Sequence, residues 1–273
     1  MTTEERNAQP TRGPRGRKKT PAWVGSIALL IVFLGGWELY TRAFNVSKLI
    51  LPPPSLVIEA WLLTLTRSGT WFHTGITALE TLVGFFFAVV TGVALGALLG
   101  KMPRLEKMLN PFVIGMQVVP KVALVPLLVV WFGFGLTSKV VIAAVLAFFP
   151  ILLNTVLGVK SVDRGHREVM ASLNASRWQS ATQLEFPSAL PYILTGMEVG
   201  VVLAIIGAVV GEYLGGSEGL GNLAVKEMNS YNTVALFAVI IHLSIIGFLF
   251  YAVVVGLRRF LIPWHESAGL PGQ

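Results

Sequence analysis

Long runs of uncharged, mostly apolar residues constrain this chain more than any other feature. A helix needs about 20 such residues to cross ~30 Å of hydrocarbon. Thr20 to Trp37 gives 18 of them, and Thr81 to Gly100 and Val140 to Val159 give 20 each. Only 13% of the 273 residues are charged, whereas soluble domains carry about 25%. The sequence therefore excludes a soluble single domain.

Three further runs bring the number of predicted spans to six. Met108 to Ser138 is interrupted by Lys121, and Tyr192 to Gly211 by Glu198. Met228 to Gly256 carries no Asp, Glu, Lys or Arg. Runs of this length are typical of membrane-spanning helices. We therefore expect an all-α, polytopic transmembrane helix bundle with six spans.

The basic residues predict the orientation of the bundle. With the N-terminus inside, the inner segments hold 15 Lys and Arg residues and the outer segments hold five. Basic residues accumulate on the cytoplasmic side of membrane proteins, so both termini are predicted to be cytoplasmic. The five basic residues assigned to outer segments are Arg42, Lys48, Arg67, Lys139 and Lys226.

The chain divides into three predicted regions. Residues 1–22 are polar, basic and proline-bearing, which is typical of a disordered cytoplasmic leader. A cleaved signal peptide is the alternative, but the apolar run is long for one and no small-x-small site follows it. Residues 23–260 form the transmembrane domain, with a cytoplasmic loop at 160–191. Residues 261–273 form a short cytoplasmic tail.

Several kinds of chemistry have no sequence signal. The chain has no cysteine, and its four histidines lack the spacing of metal ligands. No G-x-x-x-x-G-K-[ST] motif occurs, so we do not expect this chain to hydrolyse nucleotides. The glycine-rich stretch from Gly211 to Gly221 follows a predicted span, which favours a bent outer connection with positive-φ glycines over a phosphate loop. We expect no catalytic residue, cofactor, metal or nucleic-acid partner.

Glycines recur every fourth residue in two of the predicted spans. Such spacing lets helix backbones approach closely in lipid. Two interpretations stay open: a tight bundle, or faces that slide as a pathway opens. The glycines are Gly92, Gly96, Gly100, Gly196, Gly200, Gly207 and Gly211.

The loop between the fourth and fifth spans is predicted to form two short helices. The first covers about Asp163 to Leu173, and Asn174 follows where a left-handed residue ends a helix. Ser176 begins an S-x-x-Q capping box that starts the second helix. Pro187 and Pro191 are expected to end it. Apolar groups on this loop need either a partner protein or the bundle itself to cover them.

The loop sequence is similar to a known motif. Glu168-Val-Met-Ala-Ser-Leu-Asn-Ala-Ser-Arg-Trp, followed by Phe186-Pro and Leu190-Pro, resembles the EAA loop of ABC importer permeases. The chain departs from that motif at Val169 and Met170, where the family has alanines, and at Asn174, where it has glycine. The resemblance implies that the loop contacts cytoplasmic ATPase subunits. The residues implied in that contact are Glu168, Ala171, Leu173, Asn174, Ala175, Ser176 and Arg177.

Residues 50–260 resemble one branch of that family, the nitrate/sulfonate/taurine-type permeases. Matching segments include Leu51-Pro-Pro-Pro-Ser, Pro120-Lys-Val-Ala-Leu-Val-Pro and Trp131-Phe-Gly-Phe-Gly. The resemblance implies a MetI-like permease core in a bacterial-type inner membrane, a second permease copy, and lipid around the dimer. It also implies an external binding protein that delivers nitrate, bicarbonate, a sulfonate, taurine or a thiamine-precursor pyrimidine. Glu80 and Glu198 reverse the charge that is frequent at these positions.

Lys121 is the basic residue inside a predicted span, directly after Pro120. A lysine at the bilayer centre costs ~2.5–3.5 kcal/mol on insertion scales, so its side chain is expected to face the bundle or a wet cavity. It is either a structural lysine paired with Glu198, Glu212 or a carbonyl group, or a pathway residue that attracts an anionic substrate. Pro120, Lys121, Glu198 and Glu212 are therefore the candidate pathway residues.

Two other functions compete with the importer permease. A secondary transporter is expected to show internal repeats and ionisable residues near the midplane, and the sequence has no convincing duplicated half. A membrane scaffold without transport activity is the second alternative. Neither explains the loop at 160–191.

Overall fold

The computed structural model describes residues 22–263, and these are helical apart from short connections. The predicted leader and most of the predicted tail lie outside the described residues. The helices are α1 (Ala22–Ala43), α2 (Pro54–Leu65), α3 (Ser68–Lys101), α4 (Pro103–Val118), α5 (Val125–Phe132), α6 (Leu136–Lys160), α7 (Arg164–Ser172), α8 (Arg177–Ser180), α9 (Phe186–Gly215), α10 (Leu220–Asn229) and α11 (Thr233–Leu261).

Within residues 22–263, five helical segments are long and apolar enough to cross a membrane. They are α1, α3, α6, α11 and the continuous segment Arg177–Gly215. A sixth span is obtained when the bent pair Pro103–Val118 and Lys121–Phe132 is taken together. The predicted all-α bundle is confirmed. The sequence did not predict the two short helices α2 and α10.

The third predicted span, Met108 to Ser138 in the sequence, is broken and does not form one continuous helix. The two halves meet at 83°. Val119 is extended (φ −61°, ψ 126°), because the ring of Pro120 disfavours helical backbone at the preceding residue. A 3₁₀ turn, Lys121–Leu124, then leads into α5. Lys121 therefore lies at a break in the helix.

Helix α6 is the centre of the bundle, packed between α3 and α9. Both neighbours present glycines to it. A Cβ on Gly96 would lie 2.6 Å from the Cβ of Thr155, and a Cβ on Gly207 would lie 2.7 Å from the Cα of Ala143. The structure thus shows the tight bundle along both faces of α6, whereas sliding of these faces stays a prediction.

The periphery is attached by fewer contacts. Helix α1 is largely exposed, and its Glu38 carboxylate binds the Ser55 N–H (3.0 Å) and Oγ (2.8 Å) at the start of α2. The connection before α10 turns at Gly219 (φ +102°), which confirms a positive-φ glycine there.

The predicted position of one basic residue is wrong. Lys139, assigned to an outer segment, lies within α6 and is only 4% exposed. Helix α6 begins at Leu136, four residues before the uncharged run Val140 to Val159 that predicted it. Lys139, which was taken as the boundary of that run, therefore lies inside the helix. Of the five basic residues assigned to outer segments, Lys139 is therefore the one that is buried in the bundle.

Candidate coupling loop and translocation recess

Helix α7 is the first element of the loop between the fourth and fifth spans. Asp163 caps its N-terminus, and the carboxylate Oδ1 accepts from the Gly165 N–H at 2.7 Å. The Arg167 guanidinium donates to the carbonyl of Val159 at 3.0 Å, which ties α7 to the end of α6. The short helix is therefore fixed in position relative to the bundle.

The joint after α7 has the geometry that the sequence predicted. Asn174 is left-handed, with φ +51°. Its N–H donates to the carbonyl of Ala171 and the Ala175 N–H donates to the carbonyl of Met170, both at 3.0 Å. This pair of bonds is a Schellman motif, in which Asn replaces the usual glycine. The predicted left-handed conformation of Asn174 is confirmed.

The capping box at the start of the second loop helix is also confirmed. The Gln179 N–H donates to the Ser176 Oγ at 3.2 Å, and the Ser176 N–H donates to the Gln179 Oε1 at 2.8 Å. The prediction that this helix ends at Pro187 and Pro191 is wrong. The helix continues to Gly215, because Pro187 lies in the first turn of α9, where its missing N–H costs little, and Pro191 keeps a helical φ inside α9.

A single π-helical segment joins the loop to the fifth span. It covers Ala181–Glu185 and lies between α8 and α9. Within it, the Glu185 carboxylate pairs with the Lys101 ammonium at 2.6 Å. The loop is therefore connected to the membrane-spanning part by a continuous helix and to the end of α3 by an ion pair.

Large apolar side chains on the loop are exposed. The exposed fractions are 55% for Val169, 71% for Leu173 and 77% for Trp178. Helix α7, which the structure describes in full, has no buried residue. The loop is thus not folded back into the bundle, and its apolar groups are available to a partner. Ala175 is half-buried and Glu168 is exposed.

Lys121 projects into a recess of about 490 Å³ beside the break in the third span. Its Nζ lies 5.0 Å from the centroid of the Phe149 ring and 3.5 Å from the carbonyl oxygen of Gln117. Neither of these two groups is a carboxylate, and Lys121 forms no ion pair within residues 22–263. Apart from Lys121 and the Gln117 side chain, the recess is lined by apolar residues: Val122, Leu146, Phe149, Pro150, Leu153, Leu203 and Ile206.

The two glutamates predicted as partners of Lys121 do not pair with it. Glu198 pairs with Arg258 of α11 at 3.0 Å. Glu212 is fully buried and accepts a hydrogen bond from Thr77 at 2.5 Å. Lys121 is therefore paired with neither glutamate, because tertiary packing provides each with another donor, and of the structural alternatives it is the carbonyl contact, with Gln117, that is present.

Sequence reasoning missed a second group of buried charges. Glu80 of α3 pairs with Lys139 of α6 at 2.8 Å, and the side chains are 1% and 5% exposed. In the sequence, Glu80 immediately precedes the uncharged run Thr81 to Gly100, and Lys139 precedes the run Val140 to Val159. Both charges were therefore taken as boundaries of spans, and not as residues inside them. The available signal was the length of the helices, which extend past these charges.

Comparison with known proteins places this geometry among transport proteins. The family described as binding-protein-dependent transport system inner membrane component matches residues 88–264. The formylaminopyrimidine transport permease protein ThiX of Halalkalibacterium halodurans is 35% identical, over 85% of this chain and 92% of that protein. The taurine transport system permease protein TauC of Escherichia coli is 33% identical, over 88% of this chain and 89% of that protein.

A solved structure has the same fold. The methionine ABC transporter MetNI, in an inward-facing conformation, contains a chain that superposes with a TM-score of 0.62 at 20% identity. The match covers 70% of this chain and 96% of that chain. The MetI-like core is therefore confirmed.

Proposed function

Because this chain belongs to the family of binding-protein-dependent transport system inner membrane components, it is the permease subunit of an ABC importer, and we propose that it carries a small anionic solute past Lys121. A permease of this family is a non-catalytic, multi-pass inner-membrane protein. It works with cytoplasmic ATPase subunits and an external solute-binding protein.

The environment of Lys121 carries the proposal of an anionic solute. An ammonium at membrane depth is costly unless an anion or water stabilises it. Within the described residues, the Lys121 ammonium has an aromatic ring and one distant carbonyl as neighbours, and no carboxylate neutralises it. Its charge is therefore available to an anion in transit, such as nitrate, a sulfonate or the sulfonate group of taurine. The extended backbone at Pro120 places it at the break.

We propose that a second copy of the chain completes the pathway. Helix α4, fully described, has no buried residue, and Phe112 and Val118 are 69% and 78% exposed. Large exposed apolar surfaces of this kind are covered either by lipid or by another protein. In a homodimer that pairs these surfaces, two Lys121 recesses face one pathway. Lipid covers the remaining apolar faces, including most of α1.

The coupling loop supplies the contact with the ATPase in this proposal. Both termini and α7 lie on the cytoplasmic side, in agreement with the excess of basic residues there. The exposed apolar side chains of the loop dock on the ATPase, whose closure pulls the two loops together and turns the bundle outward. The residues assigned to this contact are Glu168, Ala171, Leu173, Asn174, Ala175, Ser176 and Arg177.

Lys121→Met tests the pathway. Methionine keeps the length and apolar character of the side chain and removes its charge, while Lys48→Met removes an exposed lysine of the predicted outer surface. Both variants are assembled with the ATPase and the solute-binding protein in vesicles, and uptake of labelled taurine, nitrate and an alkanesulfonate is measured. We expect Lys121→Met to assemble and to lose at least tenfold in uptake, with Lys48→Met unchanged. Wild-type uptake by Lys121→Met, or loss of its assembly, contradicts the proposal.

The 35% identity with a formylaminopyrimidine permease favours a second candidate, a neutral heteroaromatic solute. Uptake of a formylaminopyrimidine in the same vesicles distinguishes the two. The pyrimidine candidate is correct if three results are found together: the formylaminopyrimidine is carried, the anions are not carried, and Lys121→Met has no effect on uptake. A neutral solute gains little from an ammonium, so the response to Lys121→Met separates the candidates even when several compounds enter.

A further inference from the structure

Three ionisable side chains from three spans meet inside the bundle, away from the recess of Lys121. They belong to Glu80 of α3, Lys139 of α6 and Glu212 of α9, and all three residues are buried. Ionisable groups at membrane depth are costly and usually functional. The transport pathway described above uses none of them.

Glu212 is bound by donors on both carboxylate oxygens. The Thr77 hydroxyl donates to Oε1 at 2.5 Å, and the Gly221 N–H donates to Oε2 at 2.6 Å. The Thr77 oxygen in turn accepts from the Leu220 N–H at 2.8 Å. An ionised carboxylate only accepts hydrogen bonds, whereas a protonated one must also donate. This arrangement is therefore suited to ionised Glu212.

Glu80 has a different set of partners. Its Oε1 accepts from the Lys139 ammonium at 2.8 Å, but its Oε2 is buried and has no donor among the described residues. Glu80 lies three residues after Thr77, the donor to Glu212, on the same side of α3, so the two carboxyl groups are neighbours. Two ionised carboxylates beside one ammonium leave a negative charge without a partner, which is strongly unfavourable in a buried site. A proton on the Glu80 Oε2 removes that charge and makes this oxygen a donor.

We propose that Glu80, Lys139 and Glu212 form a proton-binding site, in which a proton held on Glu80 is donated in a hydrogen bond to Glu212. The site is then neutral: the Lys139 ammonium balances the Glu212 carboxylate, and Glu80 is uncharged. Each buried carboxyl oxygen has a partner, and the orphaned Oε2 of Glu80 is explained.

The proton also has a structural consequence, because the connection to α10 lies directly over the site. A Cβ on Gly219 would overlap the Glu212 carboxyl group, and one on Gly221 would lie 2.7 Å from its Oε2. The Lys139 ammonium donates to the carbonyl of Glu218 at 3.3 Å. A neutral site lets this glycine-rich connection close over the three side chains and anchors α10.

Other titratable groups surround the site and have separate roles. His73 of α3 accepts the Gly219 N–H on its Nδ1 at 3.0 Å, so this nitrogen carries no proton. The charges of Glu218, in the connection, and Lys226, in α10, act on His73. None of these three supplies a hydrogen bond to the unpaired oxygen of Glu80, so they do not replace the proposed proton.

Two glutamine substitutions of equal size test the proposal. Glu80→Gln reproduces the protonated carboxyl group, because its carbonyl accepts from Lys139 and its amide donates to Glu212. Glu212→Gln places an amide against two groups that already donate. We expect the melting temperature of purified Glu80→Gln to stay within about one degree of the wild type, and that of Glu212→Gln to fall by several degrees. Raising the pH into the alkaline range should lower the melting temperature of the wild type but not that of Glu80→Gln.

Infrared spectroscopy of the full-length protein in lipid detects the proton directly. We expect the carbonyl band of a protonated carboxylic acid at neutral pH, absent in Glu80→Gln and retained in Glu59→Gln, which removes an exposed glutamate. Absence of the band from the wild type overturns the proposal. So does its persistence in Glu80→Gln, or destabilisation by Glu80→Gln equal to that by Glu212→Gln. Absence of the wild-type band overturns the proposal even if both variants fail to fold.

Discussion

Close packing of α3 on α6 makes a quantitative prediction for Gly96→Ala. The added Cβ would lie 2.6 Å from the Cβ of Thr155 and 2.8 Å from the carbonyl oxygen of Leu152. The carbonyl belongs to the backbone and cannot rotate away, so the two helices must separate. Overpacking of this kind costs ~1–3 kcal/mol. At about 2–4 °C for each kcal/mol in a chain of this size, the melting temperature should fall by roughly 2–12 °C.

Gly75→Ala is the matched control on the same helix. A Cβ on Gly75 meets nothing within 4 Å, and alanine is a better helix former than glycine by up to ~1 kcal/mol. We expect Gly75→Ala to melt at or slightly above the wild-type temperature. Both variants are measured as the detergent-solubilised protein, by the fraction that stays monodisperse after heating. Equal melting of the two variants would refute the argument that the glycines of α3 are required by contact with α6.

Two further predictions concern the coupling loop. Since Asn174 is left-handed with φ +51°, Asn174→Gly should retain wild-type uptake, whereas Asn174→Val should lose most of it. A left-handed backbone costs roughly 1–2 kcal/mol for a residue with a Cβ, and more for a β-branched residue. Equal uptake by both variants contradicts the role of the joint. Ala175→Arg should abolish uptake while expression and membrane insertion stay normal, as judged by a fluorescent fusion; unchanged uptake together with unchanged ATPase association removes Ala175 from the proposed contact.

The features that the sequence predicted correctly are those decided by neighbouring residues. The left-handed Asn174 follows from its place after a short helix, and the capping box of Ser176 needs only Gln179, three residues on. The apolar spans follow from the length of the uncharged runs, five as single helical segments and the third as a bent pair. In each case the determining contacts lie within one or two helical turns, so the linear sequence contains them.

The features that were missed depend on contacts between distant residues. Lys139 ended an uncharged run and was assigned to a connection, yet Glu80, 59 residues away in the sequence, stabilises it inside the bundle. The partners of Glu198 and Glu212 come from α11 and α3. The positions of charged residues along the chain do not specify which buried groups pair, because the packing of the helices determines the pairs.

Proline was the least reliable local signal. Pro120 breaks the third span, whereas Pro111 lies inside α4 and Pro191 lies inside α9. The missing N–H is the same in all three cases. What differs is the backbone of the residue before the ring, which is extended at Val119, whereas Pro111 and Pro191 follow helical residues.

Transport through this permease is driven by ATP hydrolysis in a partner subunit, and one measurement tests this directly. The permease, its ATPase and its binding protein are reconstituted in vesicles, and uptake of whichever of taurine, nitrate, an alkanesulfonate or a formylaminopyrimidine binds the binding protein is followed. A parallel sample contains an ATPase whose P-loop lysine is replaced. We predict uptake that requires ATP and falls to background with the defective ATPase. Uptake that persists with that ATPase and follows an imposed ion gradient would contradict the account and identify a secondary transporter.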